Sequence, residues 1–295
     1  MIEFSIPDFY LYAPLVISLI KLMTEHPEKF NEDVKIGSCY GCFPCSWNGG
    51  RVQKSNGFTK EDVKIATRFF NENGITIRYT FTNRLLEESD MDDTCGNLIL
   101  NTTKENQLIK NDVNIGTKVL EEYIKNYFPE FNIIYSTTLC ITDIEQINKM
   151  TEKNLLVLDY TFNNDFEKLK QLKHPENIEI LLNEACHDDC PVRKKHYLHH
   201  SKLNLKIEEE PGDITSCIFN EEKDNYYDIV TTKKRYISIE NIRKNYLPLG
   251  FNKFKIVGRN TSVQFCTEAF CSYLVKPEFQ NEIRYELLKK FFNNL

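Results

Sequence analysis

Thiols in two stretches are the residues best suited to chemistry. Cys39, Cys42 and Cys45 follow the apolar run Val34-Lys35-Ile36-Gly37 at three-residue intervals, and Cys186 and Cys190, closed by Pro191, follow a second apolar run ending at Leu182. These stretches hold five of the ten cysteines. The first spacing copies the opening of a bacterial ferredoxin run, and Cys-Pro ends such runs, so a 4Fe-4S cluster split between two loops is expected, with Cys217 able to complete it. Zinc is the alternative, because four cysteines, or cysteines with His187 or His196, satisfy its tetrahedral preference. Spacing leaves both metals open. Neither stretch has the three-then-two spacing of radical-SAM enzymes. Cys95, Cys140 and Cys271 read as small buried apolar side chains, while Cys266 falls near a strand end or its following loop.

Four of the six histidines lie between positions 187 and 200. His187 and His196, closest to the second thiol pair, are candidates to move protons, together with Glu184; His199 and His200 read as a surface pair. Trp47-Asn48-Gly49-Gly50-Arg51 combines an aromatic wall, backbone amides and a guanidinium, the parts of a substrate loop; a turn with its tryptophan in the core is the other reading. Asn83, Asn183, Arg193 and Arg259 extend the substrate-binding set, with the arginines suited to an acidic group. Walker and Gly-x-Gly-x-x-Gly patterns are absent, as are a His-Glu-x-x-His helix and a Ser-His-Asp arrangement, so nucleotide binding and peptide hydrolysis lack motif support.

The elements that must position these residues alternate. Strands are predicted at 34–38, 75–81, 112–115, 133–136, 155–160, 178–183, 235–238 and 254–258, from short β-branched runs. Helical spacing marks 60–72, 90–103, 118–126, 141–152, 166–172, 239–246 and 262–273, after a leading helix at 10–24. Thr59, Thr117 and Thr142 are candidate caps. Eight parallel strands with intervening helices predict a single (β/α)8 TIM-type barrel domain over 1–295, with an extra N-terminal helix and a C-terminal helix. A doubly wound open sheet is the alternative. In a barrel the candidate residues gather on loops following strand C-terminal ends.

With 295 residues, 41% hydrophobic and 27% charged, the chain can bury a full core. A formal charge of −6 argues against broad attraction to nucleic acid, although Arg193-Lys194-Lys195 offers a local basic patch. The apolar stretch from Phe9 to Met23 is interrupted by Lys21 and is too short to span a bilayer. A cytoplasmic, reducing setting is therefore expected, which favours metal-bound or free thiols over disulfides.

Two segments resemble the collagenase-like peptidase family. Gly250-Phe251-Asn252-Lys253-Phe254-Lys255-Ile256-Val257-Gly258-Arg259 is similar to that family's Gly-x-x-x-x-Lys-Ile-Glu-Gly-Arg strand, with Val257 in place of the usual glutamate. The other segment is the region of Cys186 and Cys190, followed by Cys217, a shortened form of the family's cysteine-rich stretch. The resemblance implies a barrel fold. For some members it also implies an iron-sulfur cluster serving oxygen-independent hydroxylation of ubiquinone precursors or RNA, with a further cysteine after the first strand, a place that Cys39, Cys42 or Cys45 fills. The leading expectation is thus an iron-sulfur enzyme modifying a small acidic molecule, an RNA base or a peptide. A metal-dependent peptidase, or a noncatalytic subunit passing electrons to a protein partner, are the alternatives.

Overall fold

The computed structural model describes residues 1–49, 57–211, 214, 225–259 and 261–293. Its parallel strands close into one eight-stranded barrel in chain order: β1 (Ile2–Pro7), β2 (Val34–Gly41), β3 (Thr76–Phe81), β4 (Asp112–Ile115), β5 (Asn132–Tyr135), β6 (Leu155–Val157), β7 (Ile178–Leu181) and β8 (Lys253–Lys255), which returns to β1. Around it run α1 (Ala13–Glu25), α2 (Lys60–Glu72), α3 (Thr94–Asn106), α4 (Lys118–Tyr127), α5 (Ile144–Thr151), α6 (Phe166–Leu169), α7 (Arg193–Leu205), α8 (Tyr226–Thr232), α9 (Ile239–Asn241), α10 (Val263–Leu274) and α11 (Gln280–Asn293). The fold is the TIM barrel. α8 and α9 are inserted before β8, and α11 packs against α1 and α10.

Period-2 patterning explains the wall. Ile2, Phe4 and Ile6 of β1 join the core shared with the helices, while Ser5 turns into the lumen to meet Ser38 of β2, their hydroxyls 2.6 Å apart. Caps start the helices. Thr59 and Asp62 form a reciprocal capping box on α2, and Thr117 caps α4. For α5 the cap is Asp143 rather than Thr142: its carboxylate accepts from Gln146 N–H at 2.7 Å.

The strands depart from expectation at both ends of the chain. β1 was not among the predicted strands, although Ile2-Glu3-Phe4-Ser5-Ile6 alternates apolar and polar residues; the helix expected as an N-terminal addition is the helix of the first unit. Residues 235–238 are not a strand. That segment touches the barrel top through the Ile237 N–H to Leu182 carbonyl bond at 3.0 Å, while Arg235 reaches across to Asp189 at 2.7 Å. β7 and β8 also end sooner than expected. The Asn183 side chain replaces further ladder, donating to the Val257 carbonyl at 2.9 Å and accepting from the Val257 N–H at 2.8 Å.

The lumen is ionic on one side, while Ile134, Val157 and Leu181 form a separate apolar cluster on the other. Arg78 donates to Glu179 at 2.6 Å and to Asp112 at 3.2 Å, Ser5 donates to Glu179, and Lys255 lies 3.8 Å from the second Glu179 oxygen. All four charged side chains are buried. Burial pushes the Glu179 carboxyl up, but Arg78, Lys255 and the Ser5 hydroxyl outweigh it and hold it below the usual carboxylate value of 4.5. Its contribution to stability is therefore present above that value and lost as pH falls through the depressed one. Glu179→Gln is expected to cost about 3–5 kcal/mol at pH 7, since it leaves buried cations under-compensated. In urea denaturation the gap from wild type should begin to narrow near pH 4.5, where the unfolded carboxyl takes up its proton, and close further as pH falls through the depressed native value.

Candidate functional site

At the C-terminal ends of the strands is a cleft of about 70 Å³, lined among others by Tyr40, Asn114, Ser136, Glu184, Lys255 and Arg259. They come from five units of the barrel, Lys255 and Arg259 both from the last, and the strand residues follow the alternation: Tyr40 lies two residues after inward Ser38, Asn114 two after Asp112, and Lys255 two after Lys253. The Lys255 ammonium sits 3.8 Å from the Tyr40 ring centre and the Arg259 guanidinium carbon 5.4 Å from it. Tyr40 is fixed in turn by donating to the Ile256 carbonyl at 2.7 Å, and Arg259 donates to Thr80 at 2.6 Å. Burial pushes the Tyr40 phenol well up despite the opposing pull of Arg259, so it stays protonated. Asn114 is buried, and its Oδ1 has no hydrogen-bond partner among the described residues.

The rim beside this cleft is built on Glu184. Its Oε2 accepts from Arg193 at 2.8 Å and its Oε1 from the Cys186 N–H at 3.1 Å. Arg193 lies between two aromatic rings, its guanidinium carbon 4.1 Å from the Tyr160 centre and 5.3 Å from that of Tyr197. Tyr160 OH reaches the His187 carbonyl at 2.7 Å and accepts from the Cys190 N–H at 3.0 Å, which shapes the thiol-bearing loop.

Other expected site residues serve the architecture. Trp47 is fully buried, donates to the Asp90 carbonyl at 2.7 Å and packs on Phe81; it presses so closely on α3 that a Cβ at Gly96 would come within 2.5 Å of its ring. It is not a substrate wall. Asn48 donates to the Cys45 carbonyl at 2.6 Å, and Asn83 bridges the Ser46 and Ser201 carbonyls at 3.1 and 3.4 Å, so both tie loops rather than line the cleft. Asn183 is the clamp between β7 and β8. His187 Nδ1 lies 2.7 Å from the Asp188 carbonyl, and His196 is half-buried on α7; neither lines the cleft. Arg51 and Cys217 lie outside the described residues.

The thiols fall into separate neighbourhoods. Cys39, Cys42 and Cys45 are fully buried, with the sulfurs of Cys42 and Cys45 3.8 Å apart, and burial pushes the Cys39 and Cys42 thiols well up. Cys186 and Cys190 are half-buried on the rim, and Cys186 is pushed up to about 11 by burial and by Glu184, against the pull of Arg193. Among the described residues, no three His, Cys, Asp or Glu side chains come together to hold a metal. The described thiols do not come together as the split ligand set.

No family model and no curated protein matches the chain. A solved structure described as the U32 peptidase Mk0906 shares the fold: the TM-score is 0.50 at 10% identity, over 88% of this chain and 92% of that one. Among the described residues, no helix is long and apolar enough to cross a membrane.

Cleft residues missed in the sequence carry a readable signal. Asp112-Val113-Asn114-Ile115 and Lys253-Phe254-Lys255-Ile256 alternate polar with apolar, and in a closed barrel the polar positions must face the lumen. The burial pattern sets an order of thiol reactivity. Iodoacetamide at pH 8 should label exposed Cys95 first and Cys186 slowly, while Cys39, Cys42, Cys45, Cys266 and Cys271 react only after unfolding. Time-resolved peptide mass spectrometry checks this; early labelling of Cys42 would contradict the sealed wall.

Proposed function

We propose that the barrel mouth is the active site of an enzyme of the collagenase-like peptidase type, acting on an acidic peptide or peptide-like substrate. One observation carries the reading: Lys255 and Arg259 lie against the same Tyr40 ring in a cleft whose only lining carboxylate, among the described residues, is Glu184, already bonded to Arg193. Lys255 is partly answered from below by Glu179 at 3.8 Å and Arg259 by buried Asp8, but neither carboxylate lines the cleft, so its surface favours an anion. The resemblance of the 250–259 strand and the fold shared with a U32 peptidase support the reaction class.

In this reading Lys255 and Arg259 hold a substrate carboxylate, and Asn114 Oδ1 accepts from a substrate N–H that answers its missing partner. Glu184 takes a proton from the attacking water as oxygen bonds to the scissile carbonyl; the proton then passes to the departing amine as the C–N bond breaks. Arg193, stacked between tyrosines, is the positioning residue that aims Glu184. His187 and His196, away from the lining, receive no step.

Peptides bearing Asp or Glu test this. Arg259→Ala should raise KM about 10- to 100-fold with little change in kcat, as the loss of a charged hydrogen bond requires. Glu184→Gln should lower kcat about 10²- to 10⁴-fold. Running the assay on small dicarboxylates and on RNA separates the other substrate classes, and absence of peptide turnover by the wild type would overturn the proposal.

A second reading is a metal centre at the rim, favoured by Cys186 and Cys190 sharing one half-exposed loop. Cys217, outside the described residues, would supply a further ligand, and a partner protein would supply electrons if the metal is iron. Protein purified without oxygen would then carry stoichiometric iron and acid-labile sulfide, lost in Cys186→Ala and Cys190→Ala. Zinc instead would favour a metallohydrolase, and neither metal would end this reading.

A further inference from the structure

We propose a second binding site at the opposite, N-terminal end of the barrel, for a small organic phosphate. A cavity of about 600 Å³ opens there, far larger than the mouth cleft and within the usual range for small-molecule sites. It runs from the floor of the barrel, at Arg78 and Asp112, outward to α4 and the loops before β4 and β6.

Charge selects the ligand. Five cations line the cavity, Arg78, Lys110, Lys125, Lys153 and Lys253, against the two acids Glu3 and Asp112. Both acids are already satisfied, Glu3 by Lys35 at 2.8 Å and Asp112 by Arg78 at 3.2 Å. Lys125 is paired with Glu121 on its own helix. Lys253 donates to the backbone carbonyl of Glu176 at 2.6 Å, which leaves its charge uncancelled. Lys110 and Lys153 form no ion pair among the described residues, and Glu130, whose carboxyl feels Lys110, is already bonded to Lys104. Three ammonium groups from three separate segments thus converge on one concavity of a chain whose formal charge is −6. That excess is local. Ammonium groups act as point charges and suit a dianion approached from several sides, whereas a monovalent carboxylate is better met by a guanidinium fork.

The remaining wall is apolar, with Ile124, Phe128, Phe131, Ile133 and Leu155. A ligand with a flat or aliphatic body and a phosphate head matches both surfaces; inorganic phosphate would use only one. The site shares no lining residue with the mouth cleft, so it stands or falls independently of the reaction proposed there.

Titration calorimetry on the full chain with phenyl phosphate, inorganic phosphate and benzoate tests the site. Saturable 1:1 binding of phenyl phosphate is expected, with the other two at least about tenfold weaker. The exposed pair Lys110→Gln/Lys153→Gln should weaken phenyl phosphate at least about tenfold while thermal unfolding stays unchanged, and Arg259→Ala should leave it unaffected. Absence of saturable binding to the wild type would overturn the proposal. So would binding lost in Arg259→Ala but kept in the lysine pair variant, which would move the ligand to the mouth.

Discussion

Glu179 is the hinge of the interior. Its two oxygens face Arg78 and Ser5 on one side and Lys255 on the other, so one buried carboxylate organises β1, β3, β7 and β8. Isolated charges in such surroundings would be strongly disfavoured, and these persist because each has a partner of opposite sign within a few ångströms. Lys255, drawn toward Glu179, is thereby laid over Tyr40, and Tyr40 is in turn the surface on which Arg259 rests. The character of the mouth follows from a contact buried beneath it.

The rim obeys a similar logic with exposed parts. Arg193 bonds Glu184 and is held flat by Tyr160 and Tyr197, and Tyr160 also fixes the backbone of the loop carrying Cys186 and Cys190. An acid, a cation and two thiols are thus positioned by two aromatic rings from different units. Asn183 completes the frame by joining the ends of β7 and β8 where strand pairing stops.

Much of the barrel was legible because its wall alternates strongly and its helices carry recognisable caps. The strand at 2–7 escaped because it lies at the start of the sequence, directly before the first long helix, and 235–238 misled because Tyr236-Ile237 has strand-like residues without a ladder to join. The site was less legible. Arg259, Arg193 and Glu184 were among the candidates and lie at the mouth or its rim, whereas Tyr40, Asn114 and Lys255 were not among them, since they come together only by facing a common axis across distant strands. Trp47, Asn48 and Asn83 looked like ligand-binding residues because buried polar groups that tie loops use the same chemistry as those that hold ligands. The cysteines illustrate the limit of spacing: Cys42 and Cys45 are neighbours in space as in sequence, yet they face the packed wall and not the rim where Cys186 and Cys190 lie.

The ionic axis also constrains how such a chain can diverge. An aliphatic barrel core drifts by exchanging one methyl-bearing side chain for another, each step nearly neutral. Here Arg78, Asp112 and Glu179 are mutually dependent, so replacement of any one leaves the others buried without their partner. Descendants of this sequence would have to change these positions together or keep all three, and the lumen is therefore inherited as a block while the surface around it is free to wander.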